Sequence, residues 1–227
     1  MKLFSRIATF LPLAVTLIWL PFLPDQVPMH YDLAGNIDGW GSKWENLLLP
    51  GVVLLMGIIA YFTIKVGLKK SAADNKQKVH AEANAKVIRI VMIATGIFFT
   101  VLQGVLLYKA GRASASDVAA DHVDLNRVTT LCMGILFLVL GNYMPKAKLN
   151  SMVGFRCGWT MLNDVTWQKS NRFAGCALML AGLATVACAI LLPKGWVIPG
   201  MLILLTAAMT VCLVYAAKVY REEKAKE

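Results

Sequence analysis

His30, Asp32 and Asp38 are the side chains whose types and spacing come nearest to working chemistry in this sequence. They stand in the stretch PDQVPMHYDLAGNIDGWGSKWE, residues 24–45. A histidine beside a carboxylate can bind a metal or act as an acid–base pair. Val27, Met29, Tyr31 and Leu33 alternate with Pro28, His30 and Asp32, the period of two of a strand. Gly35-Asn36 then reads as a turn into a second arm, residues 37–44. In such a hairpin His30 and Asp32 share a face, and Asp38 approaches from the other arm. The competing reading is a folded lid, with His30 bonded locally and Trp40 and Trp44 seated at a membrane interface. Asn36-x-Asp38-Gly39 followed by Glu45 imitates part of a calcium loop, but Ala34 stands where the first ligand oxygen belongs, so the EF-hand reading fails. His30 and Asp32 remain a weak metal candidate, and no cofactor is expected.

A second polar stretch, GNYMPKAKLNSMVGFRCGWTMLNDVTWQKSNRFAG, spans residues 141–175. It is longer than a bare connector needs to be. Pro145 prevents simple continuation of a helix past Asn142. Lys146, Lys148 and Arg156 supply positive charge, with Asn150 and Gly154 between them as turn formers, and Trp159 suits an interface. Asn163-Asp164 has the chemistry of a helix start, an amide cap followed by an acid in the first turn. That helix would run through Trp167 and Arg172 into the next apolar run. The stretch reads either as an interfacial segment held to lipid by Trp and Arg, or as a docking surface for a cytoplasmic partner or a gate on the helix bundle. The sequence has no Ser-His-Asp set, no H-E-x-x-H and no Gly-rich phosphate loop, so an enzyme has little to stand on.

The elements that must position these stretches are apolar. Charged residues make up 16% of the 227, mean hydropathy is +0.61, and 58% are hydrophobic; a soluble domain is about 25% charged. Six runs, near 7–23, 47–66, 87–108, 128–144, 173–192 and 196–217, approach the ~17–25 residues that cross a ~30 Å hydrocarbon core. Backbone in lipid must satisfy its own hydrogen bonds, so each run should be a helix. The expected fold is therefore an all-α bundle of six transmembrane helices in one domain over 1–227, carrying a hairpin-like loop module at 24–46 and a motif loop with an interfacial helix at 141–175. The first run follows Lys2 and Arg6 but ends in PFLPDQVP without a small-x-small cleavage site, so it should remain attached.

With the N-terminus cytoplasmic, 18 of the 23 Lys and Arg fall on the cytoplasmic side, a strong positive-inside bias. Both termini and the 141–175 stretch should then be cytoplasmic, and 24–45 should be outside. The net charge of +10 is a topological signature that also attracts anionic headgroups; no direct nucleic-acid partner is expected. Cys132, Cys157, Cys176, Cys188 and Cys212 form no C-x-x-C pair and read as packing residues or free thiols. Inside the runs Gln103 is the most polar side chain, and the lack of an intramembrane Asp, Glu or His argues against proton-coupled transport. Gly96, Thr100 and Gly104, and likewise Ala177, Ala181 and Thr185, are small-residue series suited to close helix packing. The connector 69–86, with His80, should be partly helical. The connector around 114–127, with Asp117, Asp121, His122 and Asp124, reads as a hydrated outer loop.

At its two polar stretches the chain resembles the SdpI family of bacterial membrane immunity proteins. Residues 23–43 resemble the family's N-terminal module, with Pro28, His30, Gly35, Asp38 and Lys43 at matching places. In the second stretch Asn142, Lys148, Asn150, Gly154, Arg156, Trp159, Thr160, Trp167, Asn171, Arg172 and Gly175 match the family pattern. A departure is Cys157-Gly158, where the family more often has Thr-Pro. The resemblance implies a multi-pass protein of the bacterial cytoplasmic membrane that protects its cell against a secreted membrane-active peptide toxin. It also implies, as in one well-known member, a cytoplasmic repressor held at the membrane. Pro28, His30, Asp32, Gly35, Asp38, Trp40 and Lys43 are then candidates for meeting the outside ligand, and Asn142 to Arg172 of the second motif for partner binding or gating. Two other functions fit the sequence: a small transporter or channel for an amphiphile, and a membrane-embedded metal-dependent enzyme using His30 and Asp32.

Overall fold

The computed structural model describes residues 1–33, 35–113 and 123–226. Its helices are α1 (Lys2–Trp19), α2 (Leu48–Lys70), α3 (Asn75–Arg112), α4 (Leu125–Tyr143), α5 (Asp164–Leu191) and α6 (Lys194–Lys224). Strands β1 (Gln26–Tyr31) and β2 (Ile37–Ser42) form an antiparallel hairpin between α1 and α2. With their flanking 3-10 turns, all six helices are long and apolar enough to cross a membrane, and each overlaps one of the six runs read from the sequence. Their outer faces fit lipid: Ile18, Phe22, Leu180, Leu191, Ile203 and Val214 are each more than half exposed. In water so much exposed hydrocarbon would drive association, whereas acyl chains solvate it.

The helices pack most extensively as α4 on α5, α5 on α6, and α1 on α3. Glycines seven residues apart make the α4–α5 seam. A Cβ on Gly141 would lie 2.6 Å from the Gly175 carbonyl oxygen, and one on Gly175 would lie 2.6 Å from that of Gly141. Gly134 and Gly182 repeat the reciprocal contact, at 2.9 and 2.8 Å. Helices approach this closely only where side chains are missing. The series expected on α3 is used at Gly96, where a Cβ would collide with the Ala8 carbonyl, while one on Gly104 would meet nothing within 4 Å. Pro12 explains the Ala8 contact. Lacking an N–H, it leaves the Ala8 carbonyl without its helical donor, and the backbone of α3 fills the space.

Several polar side chains in the bundle donate to main-chain carbonyls, near in the chain or far from it. The Thr16 hydroxyl donates to the Pro12 carbonyl at 2.8 Å, and the buried Gln103 amide donates to the Asn46 carbonyl at 3.1 Å. Arg127, in the first turn of α4, donates to the Ala189, Ile190 and Leu192 carbonyls. Those are the acceptors the end of α5 leaves unpaired, and a cation there also opposes the helix dipole. Most of the 69–86 connector is helical: α3 begins at Asn75, with the Asp74 carboxylate accepting from Lys76 N at 2.7 Å. Asp117, Asp121 and His122 lie outside the described residues; Asp124 caps α4, accepting from Arg127 N at 3.1 Å. All five cysteines are free thiols.

The hairpin, the start of α4 and the end of α5 share one end of the bundle, tied by Asn126 Nδ2 donating to the Leu33 carbonyl and by Arg127. The segment between α4 and α5 lies at the other end, where Asn84 of α3 accepts from Lys148 N and Lys169 of α5 pairs with Glu223 of α6.

Candidate functional site: a hairpin at one end and a basic segment at the other

The hairpin is held at its base, root and turn. At the base the Lys43 amine pairs with the Asp25 carboxylate at 2.9 Å while Lys43 N donates to the Asp25 carbonyl. This lysine holds the Asp25 carboxyl below the usual carboxylate range, through the hydrogen bond first and its charge second. Val27 and Pro28 are buried, Val27 in a cluster with Leu20, Leu23, Leu107 and Ala110 that roots the hairpin on α1 and α3. Ser42 and Glu45 form a capping box that starts the 3-10 turn into α2, with Ser42 N donating to Glu45 at 2.9 Å. At the turn, Asp32 accepts from Asn36 N at 2.8 Å and from Asn36 Nδ2 at 2.9 Å. Gly35 there has φ +86°, a left-handed conformation that glycine adopts without strain.

This turn corrects the expected face. The ladder is irregular on both sides of His30, which lies opposite Gly39, so the simple alternation breaks. His30 Nδ1 meets Asp38 Oδ1 at 2.5 Å, across the strands, while both oxygens of Asp32 are engaged at the turn by Asn36. The weak metal candidate His30/Asp32 is therefore not a preformed pair; His30 and Asp38 are. Among the described residues no group of three or more His, Cys, Asp or Glu is placed to hold a metal ion. His30, Asp38 and Trp40 are exposed, as is Trp44. They form an open polar and aromatic surface rather than an enclosed reaction site.

At the opposite end, residues 147–163 contain no separate helix; the helix expected there is the first part of α5, continuous with the span. The segment is ordered by side chains acting as substitute backbone. Asn150 Oδ1 accepts from Met152 N (2.7 Å) and Val153 N (2.8 Å), and its Nδ2 donates to the Lys148 and Val153 carbonyls. Asn171, from the second turn of α5, accepts from Phe155 N at 2.7 Å and donates to the Phe155 and Trp167 carbonyls. The Thr160 hydroxyl accepts from Cys157 N and contacts the Phe155 carbonyl, while Thr160 N donates to Cys157 O, closing a turn at the Cys157-Gly158 departure. Asn163 caps α5 as expected, accepting from Val165 N and Thr166 N. Trp167 is fully buried, and its indole N–H donates to the Ala147 carbonyl at 2.8 Å. Gly154 has φ +120°, and a Cβ there would lie 2.7 Å from Asn171 Oδ1 and 2.8 Å from the Trp167 ring.

Burial sorts the candidate residues. Trp167, Asn171 and Thr160 are fully buried and hold the segment, as Asn150 and Gly154 do from partly buried positions. Asn142, Arg156, Trp159 and Arg172 are exposed, and Lys148 is half-buried. A partner touching this end would meet the second group; the first decides the shape it meets. Sequence reasoning missed Asn84 and Arg127. Asn84 carries no signal in its Ala-rich stretch, since only the fold brings it to Lys148. Arg127 had one, a lone cation at the start of an apolar run.

Six membrane-crossing helices, an ordered hairpin and a hydrogen-bonded basic segment define a multi-pass membrane protein. Residues 146–216 match the SdpI/YfhL protein family, and residues 7–62 match a domain of unknown function, DUF1648. The chain is 24% identical over 182 residues to Immunity protein SdpI of Bacillus subtilis (strain 168), covering 80% of this chain and 77% of that protein. The chain is thus related to the SdpI family, as its motifs indicate. The first match begins at the start of the basic segment and the second takes in the whole hairpin. No solved structure matches this chain.

Proposed function

We propose that this is a non-catalytic immunity protein of the bacterial cytoplasmic membrane, protecting its cell against a secreted membrane-active peptide. The observation that carries the reading is the similarity to an immunity protein over 80% of the chain. The bias of 18 of 23 Lys and Arg to one side supports an orientation with both termini and the basic segment cytoplasmic and the hairpin outside. The peptide meets the exposed His30, Asp38 and Trp40, on a hairpin whose shape depends on Pro28, Asp32, Gly35 and Lys43. Arg156, Trp159 and Arg172, flanked by Asn142 and Lys148, engage a cytoplasmic regulator. Transmission requires a ligand that binds one arrangement of the bundle better than another. The tightly packed α4–α5 seam runs between the two ends and is the element suited to carry it.

The test is expression in a Bacillus strain lacking its own SdpI, challenged with a membrane-active peptide that kills it. Survival is the expected result, and killing despite normal membrane abundance overturns the reading. The Arg156→Gln/Arg172→Gln variant should keep protection and lose any reporter response. Orientation is checked in a cysteine-free background: Trp40→Cys should react with an impermeant thiol reagent on intact cells, and Arg156→Cys only after permeabilisation.

A further inference from the structure

A cavity of about 540 Å³ opens between α1, α2 and α3 at the bundle end opposite the hairpin. Its charged lining residues are Lys2, Arg6, Lys65 and Arg89, with no carboxylate among them. None of the four makes a side-chain ion pair or hydrogen bond with another described residue, in a chain where Lys43, Arg127 and Lys169 all do. The walls away from the cations are hydrocarbon, including Phe10, Leu54, Ile58 and Phe62. Gly57, whose Cβ would collide with Thr9, keeps α1 and α2 together in that wall.

The dimensions identify the occupant. Leu54 and Lys65 are eleven residues apart on α2, about 16 Å of helix, roughly half of a ~30 Å hydrocarbon core. The groove thus covers one leaflet, cationic at the membrane surface and apolar below. The volume lies in the ordinary range for ligand sites, about 300–1,000 Å³. Four uncompensated cations over an apolar slot complement a molecule with an anionic head and a hydrocarbon tail. Lys and Arg side chains suit such a slot, because their stems can cover hydrocarbon while their charges stay at the surface. We propose that this groove is a specific site for one anionic glycerophospholipid of the surrounding leaflet, its phosphate held by Lys2, Arg6, Lys65 and Arg89. Ala60 and Met92, which line the groove, also belong to the apolar cluster against which Met152 and Val153 of the basic segment pack, so the lipid would brace that segment from behind. The site stands on the groove alone and does not depend on the immunity reading.

The experiment is native mass spectrometry of the full chain in non-ionic detergent, titrated with dioleoyl phosphatidylglycerol, dioleoyl phosphatidylcholine or glycerol phosphate. One bound phosphatidylglycerol is expected, with at least tenfold preference over phosphatidylcholine and no displacement by glycerol phosphate. Arg6→Gln/Lys65→Gln/Arg89→Gln should lose that binding at least tenfold. Lys218→Gln/Arg221→Gln/Lys224→Gln, which removes equal charge from the end of α6, should change it less than twofold. Ile58→Trp fills the slot with every cation intact and should lose binding while keeping the wild-type melting temperature, so a triple variant that fails to fold leaves a second test. Equal loss in the α6 variant, equal binding of phosphatidylcholine, displacement by glycerol phosphate, or unchanged binding in Ile58→Trp would each overturn the proposal.

Discussion

The Asn171 side chain pairs with both main-chain groups of Phe155, accepting its N–H at 2.7 Å and donating to its carbonyl at 3.3 Å. A carboxamide here replaces the neighbouring strand that an extended residue would otherwise need. Asn171 Nδ2 also donates to the Trp167 carbonyl, so one side chain joins the basic segment to the helix that follows it.

Asn171→Leu keeps the approximate volume and removes all three bonds. The Phe155 N–H then loses its partner, while its carbonyl keeps the Thr160 hydroxyl at 3.0 Å, so the cost is about 1–3 kcal/mol for one unsatisfied group. We expect a lower melting temperature in detergent and protease cleavage within residues 147–163. Arg172→Gln, one position along and exposed, should leave both unchanged. An Asn171→Leu protein as stable and protease-resistant as the parent would contradict this account of the segment.

Gly154→Ala meets two obstacles, a φ of +120° and a Cβ within 2.9 Å of Asn171 Oδ1 and the Trp167 ring. Backbone strain of this kind costs on the order of 1–3 kcal/mol, and the overlap adds to it. Gly158→Ala meets nothing within 4 Å and should be neutral. Thermal unfolding of the two variants side by side checks the contrast.

The α4–α5 seam gives a parallel test inside the membrane. Gly141→Ala drives a methyl against the Gly175 backbone, where no side chain can move aside. The helices must separate, and small-to-large changes in packed cores typically cost about 1–3 kcal/mol. Gly104→Ala, with open space around it, should be neutral or slightly stabilising because alanine is the better helix former. Melting temperatures in the same detergent distinguish them.

The hairpin base should depend on pH in one direction. Asp25 has its carboxyl lowered in the folded state by Lys43, so its contribution is fully present above the ordinary carboxylate value of about 3.9 and fades as the pH falls through the lowered one. The protection factor for hydrogen exchange at Lys43 N should be flat from neutrality to about pH 5 and fall in stronger acid. Lys43→Gln should exchange fast throughout. Because Asp25 is 94% exposed, the effect should stay local and leave global unfolding unmoved.

The sequence alone determined the six helices, because a span length of apolar residues in lipid permits no other backbone solution. It also determined the cap at Asn163, the turn at Gly35-Asn36 and the resemblance carried by the two polar stretches, all of which depend on residues close together in the chain. Tertiary structure decided what came from distance. His30 pairs with Asp38 and not Asp32 because irregular pairing on both sides of His30 shifts the strand register and Asn36 engages the nearer carboxylate. Trp167, legible in the sequence as a helix residue and a motif match, is enclosed because the 147–163 segment folds back and offers its indole the Ala147 carbonyl. Lys2, Arg6, Lys65 and Arg89 come from three helices, and no pattern along the chain announces that they line one groove. Periodicity reports which face of an element is apolar, but only packing decides which faces, and which charges, come together.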